Sequence, residues 1–199
     1  MTDAIMGHGG TLIGYLGDGI IAIFGAPLEQ DDHADRALAA AKEMLGPRMA
    51  SFNEWIRERG IDQPFQTGIG INSGLFMAGN VGSQDRLEYT VIGDTVNTAA
   101  RIEGLTKGSG HSLFISEATR FMLLGEPPPL QYVGEFEIRG RAARMKIWAP
   151  GLPDDQTRKR IDGAPNEGVS ANGREASERD SAVRAPVEGP ARGGGEAGR

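Results

Sequence analysis

Hydrophobic positions change period several times along the first 150 residues. Thr11-Leu12-Ile13-Gly14-Tyr15-Leu16 and Ile20-Ile21-Ala22-Ile23-Phe24 are short apolar runs separated by Gly17-Asp18-Gly19. Such runs around a Gly-Asp-Gly turn predict a hairpin, because glycine takes positive φ without steric cost. After Pro27 the period becomes helical. Ala34, Ala37, Leu38, Ala41, Met44 and Leu45 fall on one face, and Asp31-Asp32 place negative charge at the start. Gly46-Pro47 should kink or break this helix. Met49, Phe52, Trp55 and Ile56 continue the stripe, and Gly60 should stop it.

From Phe65 to Asn72 apolar and polar positions alternate at period two, which predicts a strand. Leu75 to Ala78 and Leu87 to Ile92 are further strands, joined by the polar loop Gly79 to Arg86. Asp94 to Leu105 is expected to be a helix capped by Asp94 or Thr95. Leu113-Phe114-Ile115 is a short strand, followed by a helix from Ser116 to Leu124 with Ser116 as its cap. Pro127-Pro128-Pro129 ends that element. Gln131 to Glu137 and Arg144 to Trp148 close the series as a β pair. Strands and helices interleaved in this way predict an α+β sheet covered by helices, with antiparallel hairpins.

Composition divides the 199 residues near Pro150. Residues 151–199 hold nine Gly, four Pro and no aromatic side chain, with 8 Lys and Arg against 9 Asp and Glu. Their few apolar positions are aperiodic, so this stretch is expected to be a disordered tail that follows one domain over residues 1–150. The absence of cysteine excludes disulfides, a thiol nucleophile and cysteine-based metal sites. The net charge of -6 argues against a nucleic-acid-binding domain but not against a bound nucleotide. No apolar run reaches the roughly 18 residues of a membrane helix, and the start carries no signal peptide. A soluble, cytoplasmic product is the expectation.

Three sets of residues could carry chemistry. Asp18 places a carboxylate outward at a hairpin tip, which suits a Mg²⁺ ligand and equally suits ordinary turn chemistry. Asn97 and Arg101, four apart in a helix, project from one face. An amide and a guanidinium side by side could orient a ribose and neutralise phosphoryl charge, or simply form a solvated polar face. His8, His33 and His111 share no metal-ligand spacing, so surface or structural roles are expected for all three.

Taken together, these segments resemble a known family. Gly9-Gly10-Thr11 and then Gly17-Asp18-Gly19-Ile20-Ile21-Ala22-Ile23-Phe24-Gly25-Ala26-Pro27 resemble the metal-binding hairpin of the class III adenylate and guanylate cyclases. Gly68-Ile69-Gly70-Ile71-Asn72-Ser73-Gly74 and Ala78-Gly79-Asn80-Val81-Gly82 resemble its next strands. Glu88 to Glu103, with Gly93-Asp94-Thr95-Val96-Asn97-Thr98-Ala99-Ala100-Arg101 at its centre, is similar to the most recognisable family signature. Gly134 to Gly140 resembles the closing strand.

The resemblance, over about residues 1–150, implies a ferredoxin-like α+β domain that dimerises head to tail, as a homodimer or with another cyclase domain. Two composite sites would form at the interface. There the 3′ hydroxyl of a nucleoside triphosphate, ATP favoured, attacks its own α-phosphorus with the help of two Mg²⁺ or Mn²⁺ ions. Asp18 would be the second metal aspartate. Asn97 would orient the ribose and Arg101 would stabilise the transition state. Thr90 matches the position that reads the purine, and Arg139 or Arg141 would reach the terminal phosphates.

Two departures from the family accompany it. The family's first metal aspartate lies on an opening strand, in a stretch like Asp-x-x-Gly-Phe-Thr, which no residue before Thr11 matches. That strand is central and lies between the strands at Ile20–Phe24 and Phe65–Asn72, so its loss leaves two open edges. A truncated reading of a longer gene and a degraded paralogue both fit. Gly14 stands where adenylate-specific members carry Lys. A chain with one metal carboxylate is expected to have little or no turnover alone. The competing reading is a non-catalytic module that binds nucleotide or pairs with a complete cyclase subunit.

Overall fold

The computed structural model describes residues 1–83, 86–126, 129–137 and 144–151, with the backbone alone at Arg86. The tail expected to be disordered lies, beyond Gly151, outside the described residues.

The chain opens with helix α1 (Thr2–Gly7), which the apolar period did not reveal and whose Ala4 and Ile5 are buried. The expected hairpin follows as β1 (Thr11–Leu16) and β2 (Gly19–Ile23), paired antiparallel. Gly17 turns it with φ 62°, a left-handed conformation that glycine adopts without strain.

Helix α2 (His33–Glu43) carries the Leu38 and Ala41 face into the core. Gly46-Pro47 does not break the helix. Residues Met44–Arg48 form one π-helical turn that includes Pro47, and α3 (Met49–Arg57) continues from it. The wider turn accommodates a residue that cannot donate to the ladder. At the π turn, the Glu43 carboxylate accepts from Arg48 Nε at 2.8 Å and meets His8 Nε2 at 3.0 Å, which ties α1 to α2.

The strand expected over Phe65–Asn72 is shorter, as β3 (Ile69–Ile71). Before it, Phe65 is held by the Asn53 side chain, whose Oδ1 accepts from Phe65 N at 2.8 Å, instead of by a neighbouring strand. The next hairpin is longer than expected. Strand β4 (Met77–Ser83) runs through the residues assigned to a polar loop and pairs in full register with β5 (Arg86–Ile92).

Helix α4 (Asp94–Gly104) has Gly93 at its N-cap position, not Asp94 or Thr95. Strand β6 (Leu113–Ser116) leads into α5 (Glu117–Phe121), shorter than expected, and Ser116 caps it by accepting from Thr119 N at 3.1 Å. Strands β7 (Leu130–Phe136) and β8 (Met145–Pro150) form the closing antiparallel pair.

The main sheet has the order β3-β6-β8-β7, with β3 parallel to β6 and the other pairs antiparallel. Alternation along its strands builds two cores. Leu113 and Ile115 face Leu38 and Ala41 of α2, whereas Phe114, Ile147 and Ala149 face Ile102 of α4. Hairpins β1-β2 and β4-β5 form separate two-stranded sheets. Among the described residues, β2 pairs only with β1 and β3 only with β6, so each keeps one open edge.

Arg48, and to a smaller extent His8, hold the Glu43 carboxyl below its ordinary value of 4.5. A depressed carboxylate adds stability above that value and loses it as pH falls through the folded value. The stability advantage of the wild type over Glu43→Gln is therefore expected to shrink as pH falls below 4.5. Urea midpoints across that range check this, and a constant difference would refute it.

Candidate active site

Helix α4 packs flush on the sheet. A Cβ at Gly70 of β3 would overlap the Glu103 nitrogen and the Ala99 carbonyl, and would stand 2.9 Å from Glu103 Cα. With Thr98 and Ile102 buried at 0% exposure, the opposite face of α4 is the one left to ligands. Asp94, Asn97 and Arg101, spaced three and four apart, share a face there.

Asn97 is exposed and Arg101 is half-buried. Arg101 Nη1 lies 3.9 Å from Asp94 Oδ1, too long for a hydrogen bond. That nitrogen is enclosed yet has no hydrogen-bond partner among the described residues. Buried donors are nearly always satisfied, so this guanidinium N–H is an exception among the described residues. The sequence reading did not single out Asp94 as the neighbour of Arg101. The three- and four-residue spacing carried that signal.

The other site residues lie on separate elements. Thr90, half-buried on β5, stands opposite Gly79 of β4. Strand β1, which carries Gly14, approaches β5, and a Cβ at Gly14 would meet open space. Asp18 is exposed at the tip of the β1-β2 hairpin. No hydrogen bond or ion pair joins it to Asn97 or Arg101 among the described residues. Arg139 and Arg141 lie outside the described residues.

Asp18 has the hard oxygen chemistry of a Mg²⁺ or Mn²⁺ ligand. The described residues bring no group of three or more His, Asp or Glu together, and Asp18 is a single carboxylate. The residues present therefore do not by themselves complete a two-ion site.

The three histidines have structural partners. His8 meets Glu43, His33 Nδ1 meets the Gln30 carbonyl at 3.1 Å, and the His111 ring packs 5.4 Å from Phe114. Burial lowers the pKa of His111. Among the described residues, no helix is long and apolar enough to cross a membrane.

Comparison with known proteins follows the same residues. The pattern of the adenylate and guanylate cyclase catalytic domain matches residues 2–149. Adenylate cyclase 1 of Rhizobium meliloti is 38% identical over 151 residues, which is 74% of this chain and 22% of that protein. An uncharacterized protein of Mycobacterium tuberculosis is 41% identical over 113 residues, 56% of this chain and 19% of that protein. The chain thus spans about a fifth of the length of these curated relatives. Among solved structures, the guanylyl cyclase Cya2 is similar with a TM-score of 0.65 and 36% identity, covering 77% of each chain. The adenylyl cyclase CyaB from P. aeruginosa has a TM-score of 0.68 at 26% identity, covering 77% of this chain and 78% of that one.

Proposed function

Because the chain belongs to the adenylate and guanylate cyclase catalytic domain family, we propose that it forms a 3′,5′-cyclic nucleotide and pyrophosphate from a nucleoside triphosphate, ATP in preference. The observation that carries this reading is the α4 face, on which Asn97 and Arg101 stand one turn apart with Asp94 3.9 Å from Arg101 Nη1.

In this reading Asn97 holds the ribose, so that its 3′ hydroxyl points at the α-phosphorus. Arg101 donates to a phosphoryl oxygen as charge builds on it. The new bond runs from the 3′ oxygen to the α-phosphorus, the hydroxyl proton passes to water, and pyrophosphate leaves with the bridging oxygen as its bond to the α-phosphorus breaks. An N–H already in place and partly shielded from water stabilises that charge without reorganising. Thr90 reads the purine edge, and Arg139 or Arg141 meets the terminal phosphates. The adenylate cyclase relative supports ATP, while the open space at Gly14 leaves base selection to few groups.

Asp18 would hold Mg²⁺ or Mn²⁺ together with a second carboxylate, and such ions lower the pKa of a bound hydroxyl and offset phosphate charge. The open edges of β2 and β3 are each able to take a further strand, in this reading the source of that carboxylate. In this reading Asp18 of one protomer and Arg101 of its partner meet in a composite site of a dimer. Leu75, Met77, Leu87 and Ile92, each more than half exposed on or beside the β4-β5 hairpin, offer apolar area for it. We place the reaction in the cytoplasm, where nucleoside triphosphates are made and spent.

The test compares two forms. The 199-residue chain with labelled ATP or GTP and Mn²⁺ is expected to turn over very slowly, because Asp18 is a single ligand. A form extended at its N-terminus by an aspartate-bearing strand should turn over far faster. A folded, dimeric extended form that makes no cyclic product from either nucleotide would overturn the cyclase reading. Fast turnover by the 199-residue chain would overturn the need for a second carboxylate.

A further inference from the structure

Helix α4 begins without a cap of its own, since Gly93 at the N-cap position has no side chain to offer. Val96 N donates to the Gly93 carbonyl at 3.2 Å, and the segment between β3 and β4 crosses the first turn and bonds to it from outside the helix. Asn72 Nδ2 donates to the Thr95 carbonyl at 3.0 Å, and Thr95 Oγ1 donates back to the Leu75 carbonyl at 2.7 Å. Only a residue without Cβ fits between these bonds, because a Cβ at Gly74 would stand 2.9 Å from Thr95 Oγ1.

The crossing segment is anchored in turn. Ser73 Oγ donates to Thr119 Oγ1 at 3.1 Å, and Thr119 Oγ1 donates to the Ile71 carbonyl at 3.3 Å. Thr119 and its neighbour Ser116 are both 0% exposed. Ser116 Oγ lies 3.1 Å from Thr119 Oγ1, so hydrogen bonds joined by the Asn72-Ser73 backbone run from the buried end of β6 to the first turn of α4. Asn97 lies two residues beyond Thr95 and Arg101 six, so their placement follows that of this turn.

We propose that Asn72 and Thr95 are positioning residues. Their reciprocal hydrogen bonds latch the start of α4 to the β3-β4 segment and thereby set where Asn97 and Arg101 stand. The inference rests on the role read for Asn97 and Arg101 above, although the latch itself can be measured without turnover. Neither latch side chain is given a contact with substrate.

Hydrogen exchange on the full chain tests it. Asn72→Ala is expected to speed exchange of the amides at 96–98 by about five- to tenfold, the scale of one net hydrogen bond. Exchange at Phe114, Ile115 and Ile147 should stay unchanged. Thr95→Val, which keeps the shape but loses the hydroxyl, should open the same amides. Thr95→Ser, which keeps the hydroxyl, should restore them, and a role in bulk stability alone would not produce that split. The Thr95 pair carries the same test if Asn72→Ala does not fold. Unchanged exchange at 96–98, or a rise spread evenly over β6 and β8, overturns the latch. Local opening found where Arg101→Ala leaves cyclic-nucleotide formation in the extended form unchanged would keep the latch and remove the function read for the face it holds.

Discussion

Replacing Arg101 by Ala in the N-terminally extended form is expected to lower kcat by about 10²–10³-fold, the scale seen on losing one preorganised transition-state donor. KM should change much less, because the contact strengthens as charge develops on the phosphoryl group. Arg101 shares the α4 face with Asn97, and Asp94 stands 3.9 Å from its Nη1, too far for a hydrogen bond to spend that donor. Asp18→Ala should abolish turnover by removing a metal carboxylate. Mixing the two variants should then recover about a quarter of the full rate, since random pairing makes half the dimers mixed and each mixed dimer has one intact composite site. Mixed dimers confirmed by native mass measurement that show no recovery would mean the two residues do not share a site. A loss in Arg101→Ala that appears wholly in KM would remove the transition-state role.

The largest expected effect on stability is at Gly70. Its missing side chain lets α4 lie directly on β3, where a Cβ would overlap the backbone of Ala99 and Glu103. Backbone cannot swing aside as a flexible side chain can. Gly70→Ala should therefore cost about 3 kcal/mol or more, the upper range for overpacking. That is a large share of the roughly 5–15 kcal/mol that holds a domain together. Because α4 also carries Asn97 and Arg101, whatever folded protein remains should show a displaced site. A urea midpoint within measurement error of the wild type would show that α4 and β3 do not meet as closely as the structure has them.

Much of this arrangement is legible along the chain. Gly17-Asp18-Gly19 between two apolar runs predicts the hairpin, and the hairpin is there with Asp18 exposed at its tip. Ser116 predicts a cap, and its Oγ accepts from Thr119 N. Asn97 and Arg101 predict one shared face, and α4 provides it. These readings succeed because each depends on residues within about one turn or one hairpin of each other, where covalent spacing fixes direction.

The misreadings have the opposite character. Phe65 to Gly68 alternates like a strand, yet Asn53 from α3 takes the Phe65 backbone, and only Ile69–Ile71 finds a partner in β6. Gly79 to Ser83 has the polarity of a loop, yet β5 supplies a full ladder, and pairing overrides propensity. Gly46-Pro47 predicts a kink or a break, and the structure has no break there but a π turn that carries the chain on into α3.

The sequence by itself determined the family, the hairpin that presents Asp18 and the helical face that presents Asn97 and Arg101, because these follow from local spacing and turn chemistry. Only the tertiary structure decided that β6 stands between β3 and β8, that β2 and β3 each keep an open edge, that Asp94 stands 3.9 Å from Arg101 Nη1, and that Asn72 and Thr95 tie the start of α4 to a segment more than twenty positions away. Hydrogen bonds and close backbone contacts of that kind join residues far apart in the chain, and no local period records them.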